Sequence, residues 1–330
     1  MSMDPAAREI PARKLYKVKY SICTLVNNHA EYGGMVDSFI KGGFTPGDCE
    51  YLYIDNSRGN KSEPFAGYNL FLDAAQGQYV ILCHQDILLK YDDRKILEQR
   101  LGELDKIDPA WGLAGNAGGV APGTNAVHVT HPAGEQNTGV FPAKVGSLDE
   151  NFILVKKDAN LSLSHDLHGF HFYGTELCQI GRILGWNAWV MDFNLYHKSE
   201  GNFDESFYEM SRTIAKKYQR ALKGATIQTM GMRLHLSGSA FKNWLRTPSR
   251  RRLIFEQQYG DRRKQKRGLP VNKVPEFLAK PLGLGWIVFY WLAHKIRVPF
   301  ENLISSAAKR RRKFLHRGPN HTPVPPHASH

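Results

Sequence analysis

Three apolar runs of strand length, residues 20–26, 50–54 and 79–83, each end at a cluster of polar residues, and helical patterning follows every one of them. That alternation constrains the fold more than any other feature of the chain. Strands joined through helices run parallel, and a parallel sheet needs helices on both faces. The first run ends at Asn27-Asn28, after which residues 31–41 read as a short helix closed by Gly42-Gly43. The second ends at Asp55-Asn56-Ser57; Phe65, Tyr68, Phe71 and Leu72 then recur at helical spacing behind Pro64, with Gly77 as the expected C-cap. The third runs directly into His84-Gln85-Asp86. Asp92 or Asp93 then caps a helix with Ile96, Leu97, Leu101, Leu104 and Ile107 on one face, stopped by Pro109. The expected fold class is therefore α/β, a mainly parallel sheet flanked by helices. Asn27, Asp55 and Asp86 would gather at the carboxyl edge of its strands, where open α/β sheets bind nucleotide-sized ligands.

With 330 residues and 42% hydrophobic content the chain can bury a full core, which excludes a disordered protein. Cys23, Cys49, Cys83 and Cys178 form no Cys-x-x-Cys pair and are expected to be reduced thiols of a cytosolic protein. The polar first 19 residues lack the apolar stretch of a secretory signal.

The net charge of +13 is concentrated at one end. Residues 240–330 carry 20 Lys and Arg against 4 Asp and Glu, whereas residues 1–239 carry 24 against 27. Basic blocks at 250–252 and 262–267 precede an apolar run, 282–293, that holds Trp286, Tyr290 and Trp291; a further basic block, 309–313, follows it. A run of this length is short of the roughly 20 residues that cross a bilayer. Its aromatic residues between cations suit an interfacial helix, so residues 250–313 are expected to meet an anionic membrane surface. The alternative is an ordinary packed helix with solvated arginines. Nucleic acid is not the expected partner, because no zinc-finger, RRM or helix-turn-helix signature accompanies the basic blocks.

The second half is less regular. A glycine-rich stretch, 111–121, leads into an expected loop to about residue 144, and Leu148-Asp149-Glu150-Asn151-Phe152 precedes an apolar run at 153–155. Gly115 to Gly119 is no GxGxxG fingerprint and reads as a tight backbone passage. Thr175 or Gly174 would cap a helix over 176–184, placing Glu176 in a first turn whose dipole favours a carboxylate. Residues 186–195 read as a further strand, which delivers His197 ahead of Gly201. His165, His168 and His171 are spaced three apart, but no further ligand at suitable spacing makes them a zinc site.

Taken together, Asp55-Asn56-Ser57, Tyr68-Asn69, the strand ending in His84-Gln85-Asp86, the 148–152 segment, His171-Phe-Tyr-Gly-Thr-Glu176 and His197-Lys-Ser-Glu-Gly201 occur in an order that resembles GT-A-fold glycosyltransferases. The likeness is to the branch related to glycosyltransferase family two, some members of which carry a His-Gln-Asp triplet. It covers about residues 18–220 and rests on several ordered weak motifs.

The resemblance implies an inverting, metal-dependent transfer of a sugar from a nucleoside diphosphate to a hydroxyl of a glycan or lipid-linked acceptor in cell-surface polysaccharide synthesis. Asp86 matches the last place of the family's Asp-x-Asp metal motif, and His197 a second ligand, for Mn²⁺ or Mg²⁺. His84 stands where the family's first aspartate usually is, with a role at either the metal or the nucleotide. Asn27, Asp55, Asn56, His84, Gln85 and Asp86 would contact the donor, and Asp149 and Glu150 the acceptor. Glu176 matches the catalytic base, with Asp166 as its rival. The implied organisation is a flexible 1–18, a GT-A domain over 19–222, a basic extension over 223–317 with amphipathic, membrane-associating helices, and a disordered 318–330. Such an enzyme would work in the cytoplasm, peripheral to the inner face of the membrane. A catalytically weak module binding a glycan, a nucleotide or an anionic surface is the alternative. A nucleotidyltransferase is a third class, for which Asn27-Asn28-His29 lacks the basic phosphate loop.

Overall fold

The computed structural model describes residues 10–12, 14–199, 201, 204–230 and 233–246. The basic blocks from 250 to 313, the apolar run 282–293 and the proline-rich end lie outside the described residues. The chain divides into two compact units, Met1–Ala225 and Thr226–His330.

The first unit opens with β1 (Val18–Val26), α1 (His29–Lys41), β2 (Cys49–Asp55), α2 (Pro64–Ala74), β3 (Gly77–Cys83), β4 (Ile87–Leu88) and α3 (Arg94–Ile107). Next come β5 (Trp111–Gly115), β6 (Ala117–Ala121), β7 (Thr124–His131), β8 (Gly134–Thr138), β9 (Ala143–Val145), β10 (Ser147–Leu148) and β11 (Phe152–Lys156). The unit continues through α4 (Tyr173–Ile183), β12 (Asn187–Val190), β13 (Tyr196–His197) and α5 (Glu205–Ala221). A seven-stranded sheet has the order β2-β1-β3-β11-β5-β12-β9. Its pairings set β2, β1, β3, β5 and β12 in one direction and β11 and β9 in the other. The α/β class with a mainly parallel sheet is thus the observed one.

Alternation along the strands explains why both faces are covered. Tyr20, Ile22, Tyr79, Ile81, Phe152 and Leu154 enter one core with Met35 and Phe39 of α1 and Leu97, Leu101 and Leu104 of α3. Cys23, Val80, Leu82, Ile153 and Val155 enter the other, with residues of α2, α4 and α5. Strands buried on both faces read as near-continuous apolar runs, and the buried polar exceptions of β1, Ser21 and Thr24, are hydrogen-bonded. Asp93 caps α3 by accepting from the Lys95 and Ile96 amides, and Asn28 caps α1 in the same way. All four cysteines are buried and free.

A second sheet, in the order β10-β6-β7-β13-β4 with β8 on β7, replaces the loop expected up to residue 144. Thr124 to His131 alternates as a strand between turns at Gly123 and Gly134, both at positive φ. β8 is exposed throughout, so it carries no apolar pattern to read. The strand expected over 186–195 pairs in the large sheet only through Val190; the chain then leaves it, and Tyr196–His197 joins the second sheet. β4, β6 and β13 continue from the carboxyl ends of β3, β5 and β12, so this sheet stands at the edge where the ligand-binding residues were expected.

The helix expected from Glu176 begins three residues earlier, at Tyr173. Phe172 at its N-terminus adopts φ 65°, and Thr175 does not cap but meets Ser147 Oγ at 2.7 Å. By itself, the second unit shows a ribbon of β14 (Ala225–Gln228) and β15 (Arg233–Leu236) followed by α6 (Ala240–Arg246). Among the described residues no helix is long and apolar enough to cross a membrane.

Candidate functional site

Two short strands build the centre of the site. β3 ends at Cys83, the chain passes through His84-Gln85-Asp86, and Ile87 immediately pairs with His197 of β13 in an antiparallel ladder. The Lys198 amide donates to the Asp86 carbonyl at 3.1 Å. This ladder brings together residues more than a hundred positions apart. His197 Nε2 lies 3.4 Å from Asp86 Oδ1, His84 Nδ1 lies 4.0 Å from the same oxygen, and the two ring nitrogens are 3.4 Å apart. One ligand atom from each of His84, Asp86 and His197 falls within a 4.8 Å cluster.

Electrostatics favour a cation at this point. Burial opposes ionisation of Asp86, but the His197 hydrogen bond and the two imidazoles hold it well below the usual carboxylate range. Burial, together with His197, pushes His84 down, so its ring stays neutral and keeps a lone pair. Tyr173 OH lies 3.0 Å from His84 Nε2 and 3.5 Å from the Glu150 carbonyl. The tautomer this network supports has Nε2–H donating to Tyr173 and Nδ1 free toward Asp86, the arrangement typical of a metal-ligating histidine. Ser199 Oγ lies 3.0 Å from His197 Nε2, the nitrogen that faces Asp86, and the His131 ring packs on His197. Two imidazoles and one carboxylate, with lone pairs converging on one point, fit a hard to borderline divalent cation. His84, which departs from the expected motif, lies inside this cluster.

The neighbouring strand ends carry the other candidates. Gln85 Oε1 accepts from the Asn27 and Asn28 amides at 2.9 Å, and Gln85 Nε2 donates to Asn27 Oδ1, tying the β1 end to the β3 end. Hydrogen bonds from Ser57, with Lys61 and His29 nearby, hold the half-buried Asp55 carboxyl at about 2. Asn56 spends its side chain on the 56–62 loop, accepting from the Lys61 and Ser62 amides and donating to the Ser62 carbonyl.

Asp149 and Glu150 reach the same edge because Phe152 pairs with Cys83 and the His84 amide donates to the Asn151 carbonyl at 3.1 Å. Asp149 accepts from the amide and side chain of Asn151. Burial first, and Asp149 second, push the Glu150 carboxyl up to about 8.

Glu176 and Asp166 both lie beside Lys217. Glu176 is fully buried; its Oε2 accepts from the Ser164 amide at 3.1 Å, and its Oε1 lies 4.0 Å from Lys217 Nζ, which also donates to Asp166. Sequence reasoning assigned no role to Tyr173, Ser199 or Lys217. Tyr173 stood inside a quoted motif, but nothing local marks it as the partner of a histidine 89 positions away.

No family model matches the chain. Among solved structures it is similar to Staphylococcus aureus TarS residues 1–349 in complex with UDP-GlcNAc, at 14% identity and a TM-score of 0.43, over 61% of this chain and 66% of that one. It is also similar to glucosyl-3-phosphoglycerate synthase of Mycobacterium tuberculosis in complex with Mn²⁺, UDP-glucose and phosphoglyceric acid, at 14% identity and a TM-score of 0.37, over 68% and 88% of the two chains. A protein of Fuscovulum blasticum described as "ATP synthase subunits region ORF 6" is 33% identical over 250 residues, which is 73% of this chain and 99% of that one. A match of that identity over nearly the whole relative shows common descent, and the chain belongs to the family of that ORF 6 protein.

Proposed function

We propose that the chain is a metal-dependent glycosyltransferase of the GT-A type, moving a sugar from a nucleoside diphosphate to an acceptor hydroxyl with inversion at the anomeric carbon. The observation that carries this reading is the convergence of His84, Asp86 and His197 at the carboxyl edge of a mainly parallel sheet. These three residues would hold Mn²⁺ or Mg²⁺, which supplies positive charge against the departing diphosphate. Asn27, Asp55 and Gln85 line the strand ends on the nucleoside side. Tyr173 keeps the His84 ring oriented through Nε2.

The test is a panel of UDP-, GDP- and dTDP-sugars with the full-length protein and Mn²⁺, read by thermal shift and by release of nucleoside diphosphate. A donor at about a hundred times its Kd stabilises by about 2.7 kcal/mol, a rise of several degrees. No shift and no release across the panel would sink the reading. One observation favours the second reading, a catalytically weak binding module: of the two acids expected as the base, Asp166 is ion-paired to Lys217 and Glu176 is fully buried, 4.0 Å from the same ammonium. Shift without release is its signature.

For the acceptor, the basic residues between 250 and 313 support a lipid-linked or polysaccharide substrate at the cytoplasmic face of an anionic membrane. Truncation after residue 240 is expected to release the protein from vesicles containing phosphatidylglycerol, measured by co-sedimentation at about 0.1 M salt. Undiminished sedimentation of the truncated chain would refute the membrane role.

A further inference from the structure

We propose that Glu150, and not Glu176 or Asp166, takes the proton of the acceptor hydroxyl. This assignment rests on the glycosyltransferase reading above. It begins with what the acids around the site are already doing. Asp86 faces two histidines, Asp55 is held by Ser57, His29 and Lys61, and Asp149 is occupied by Asn151. Glu176 has no solvent exposure and Lys217 beside it, so an incoming hydroxyl cannot reach it without rearrangement. Asp166 is ion-paired to the same lysine.

Glu150 differs from all of these. The residue is half-buried, and its carboxylate faces backbone amides, those of Gly174 at 3.4 Å, Phe172 and Glu150 itself. Its own carbonyl meets Tyr173 OH, which meets His84 Nε2, so one tyrosine separates Glu150 from the cation-binding cluster. The close approach exists because residue 174 is glycine: a Cβ there would stand 2.3 Å from the Leu148 carbonyl oxygen. A side chain at 174 would push the first turn of α4 away from the segment that carries Glu150.

In the transfer step the acceptor O–H proton passes to the Glu150 carboxylate as the acceptor oxygen forms its bond to the anomeric carbon. The bond from that carbon to the diphosphate oxygen breaks, and its electron pair leaves with the diphosphate. Glu150 then returns the proton to solvent. A base with a pKa near the working pH combines a usable ionised fraction with the strongest pull on the proton. The groups facing Glu150 set that balance: Asp149 on its own connection, Tyr173 and Cys178 on α4, Tyr68 on α2, and His84 across Tyr173. Burial raises the tyrosines and Cys178 and lowers His84, so all four stay neutral, and Asp149 is the one charge beside Glu150.

The competent form is the carboxylate, so kcat/KM should rise with pH through about 8 and then level off. The sign for stability is opposite. Between the ordinary carboxylate range and about 8, the unfolded chain has released this proton while the folded chain retains it, so stability falls as pH rises across that window.

The test uses the full chain with the nucleotide sugar turned over fastest in the panel above. Glu150→Gln keeps an acceptor for the Gly174 amide. It is expected to lower turnover by about 10² to 10⁴-fold, to leave the thermal shift with nucleoside diphosphate and Mn²⁺ unchanged, and to flatten both the kinetic and the stability slopes across pH 5–8. Glu150→Asp, with the carboxyl withdrawn by one methylene, should retain the rising limb at an intermediate rate. A Glu150→Gln protein within threefold of wild type, or one that keeps the rising limb, overturns the assignment of Glu150 alone. A wild-type protein that turns over no nucleotide sugar overturns the parent reading, and this one with it.

Discussion

Asp86→Ala is expected to lower nucleotide-sugar turnover about a thousandfold and to abolish the Mn²⁺-dependent part of nucleotide binding. The size follows from the number of jobs one carboxylate performs. It is the one carboxylate of a cluster whose other two members are imidazoles, so its removal leaves a site with no negative charge to hold a cation. Loss of a single preorganised charge at a developing oxyanion costs roughly 10²–10³ in rate, and loss of the cation adds to that. The fold should survive, because the backbone contacts that seat Asp86, the Lys198 amide on its carbonyl and the pairing of Ile87 with His197, do not involve its side chain. Calorimetric titration of nucleoside diphosphate with and without Mn²⁺, beside a release assay, measures both effects. Cation-dependent binding at wild-type strength in the variant would count against Asp86 as a ligand.

Gly174→Ala is expected to destabilise the first unit by about 2–3 kcal/mol, which for a domain of this size lowers Tm by roughly 5–10 °C. A methyl group at 174 would sit 2.3 Å from the Leu148 carbonyl and 3.1 Å from Ile153 Cδ1. The nearest obstacle is backbone, which cannot rotate away, so either α4 or the β10–β11 connection must shift. Such a shift moves Tyr173 relative to His84, and activity should fall further than the loss of folded protein explains. Thermal denaturation, with turnover measured well below Tm, separates the two effects. An unchanged Tm would mean that α4 does not press on Leu148 as described.

The large sheet was legible in the sequence because its strands are buried on both faces. Residues 20–26 and 79–83 have no polar alternation to confuse with a surface strand, and Asp93, Pro64 and Pro109 mark helix ends by local chemistry. The second sheet was not legible. β8 is exposed along its whole length and β4, β10 and β13 are two residues each, too short for any period to show. In the candidate site, His84, Asp86 and His197 were nameable from motif order, but their convergence depends on a two-residue ladder between β4 and β13 that no local pattern announces. The acids show the same limit. Glu176 stands in the first turn of a helix, as its spacing implied, yet the side chain is fully buried, with a lysine of α5, 41 positions further along the chain, 4.0 Å away. Residue type and spacing locate a carboxylate on an element; which way that element faces is decided by partners far away in sequence.

The central claim is that His84, Asp86 and His197 together hold a divalent cation against a nucleoside diphosphate. Pulsed electron paramagnetic resonance of Mn²⁺ bound to the full-length protein in the presence of UDP tests it without reference to turnover. The account predicts nitrogen couplings from two imidazoles, one of which disappears in His84→Ala and the other in His197→Ala. Bound Mn²⁺ that shows no nitrogen coupling, or couplings that persist in both variants, would contradict it.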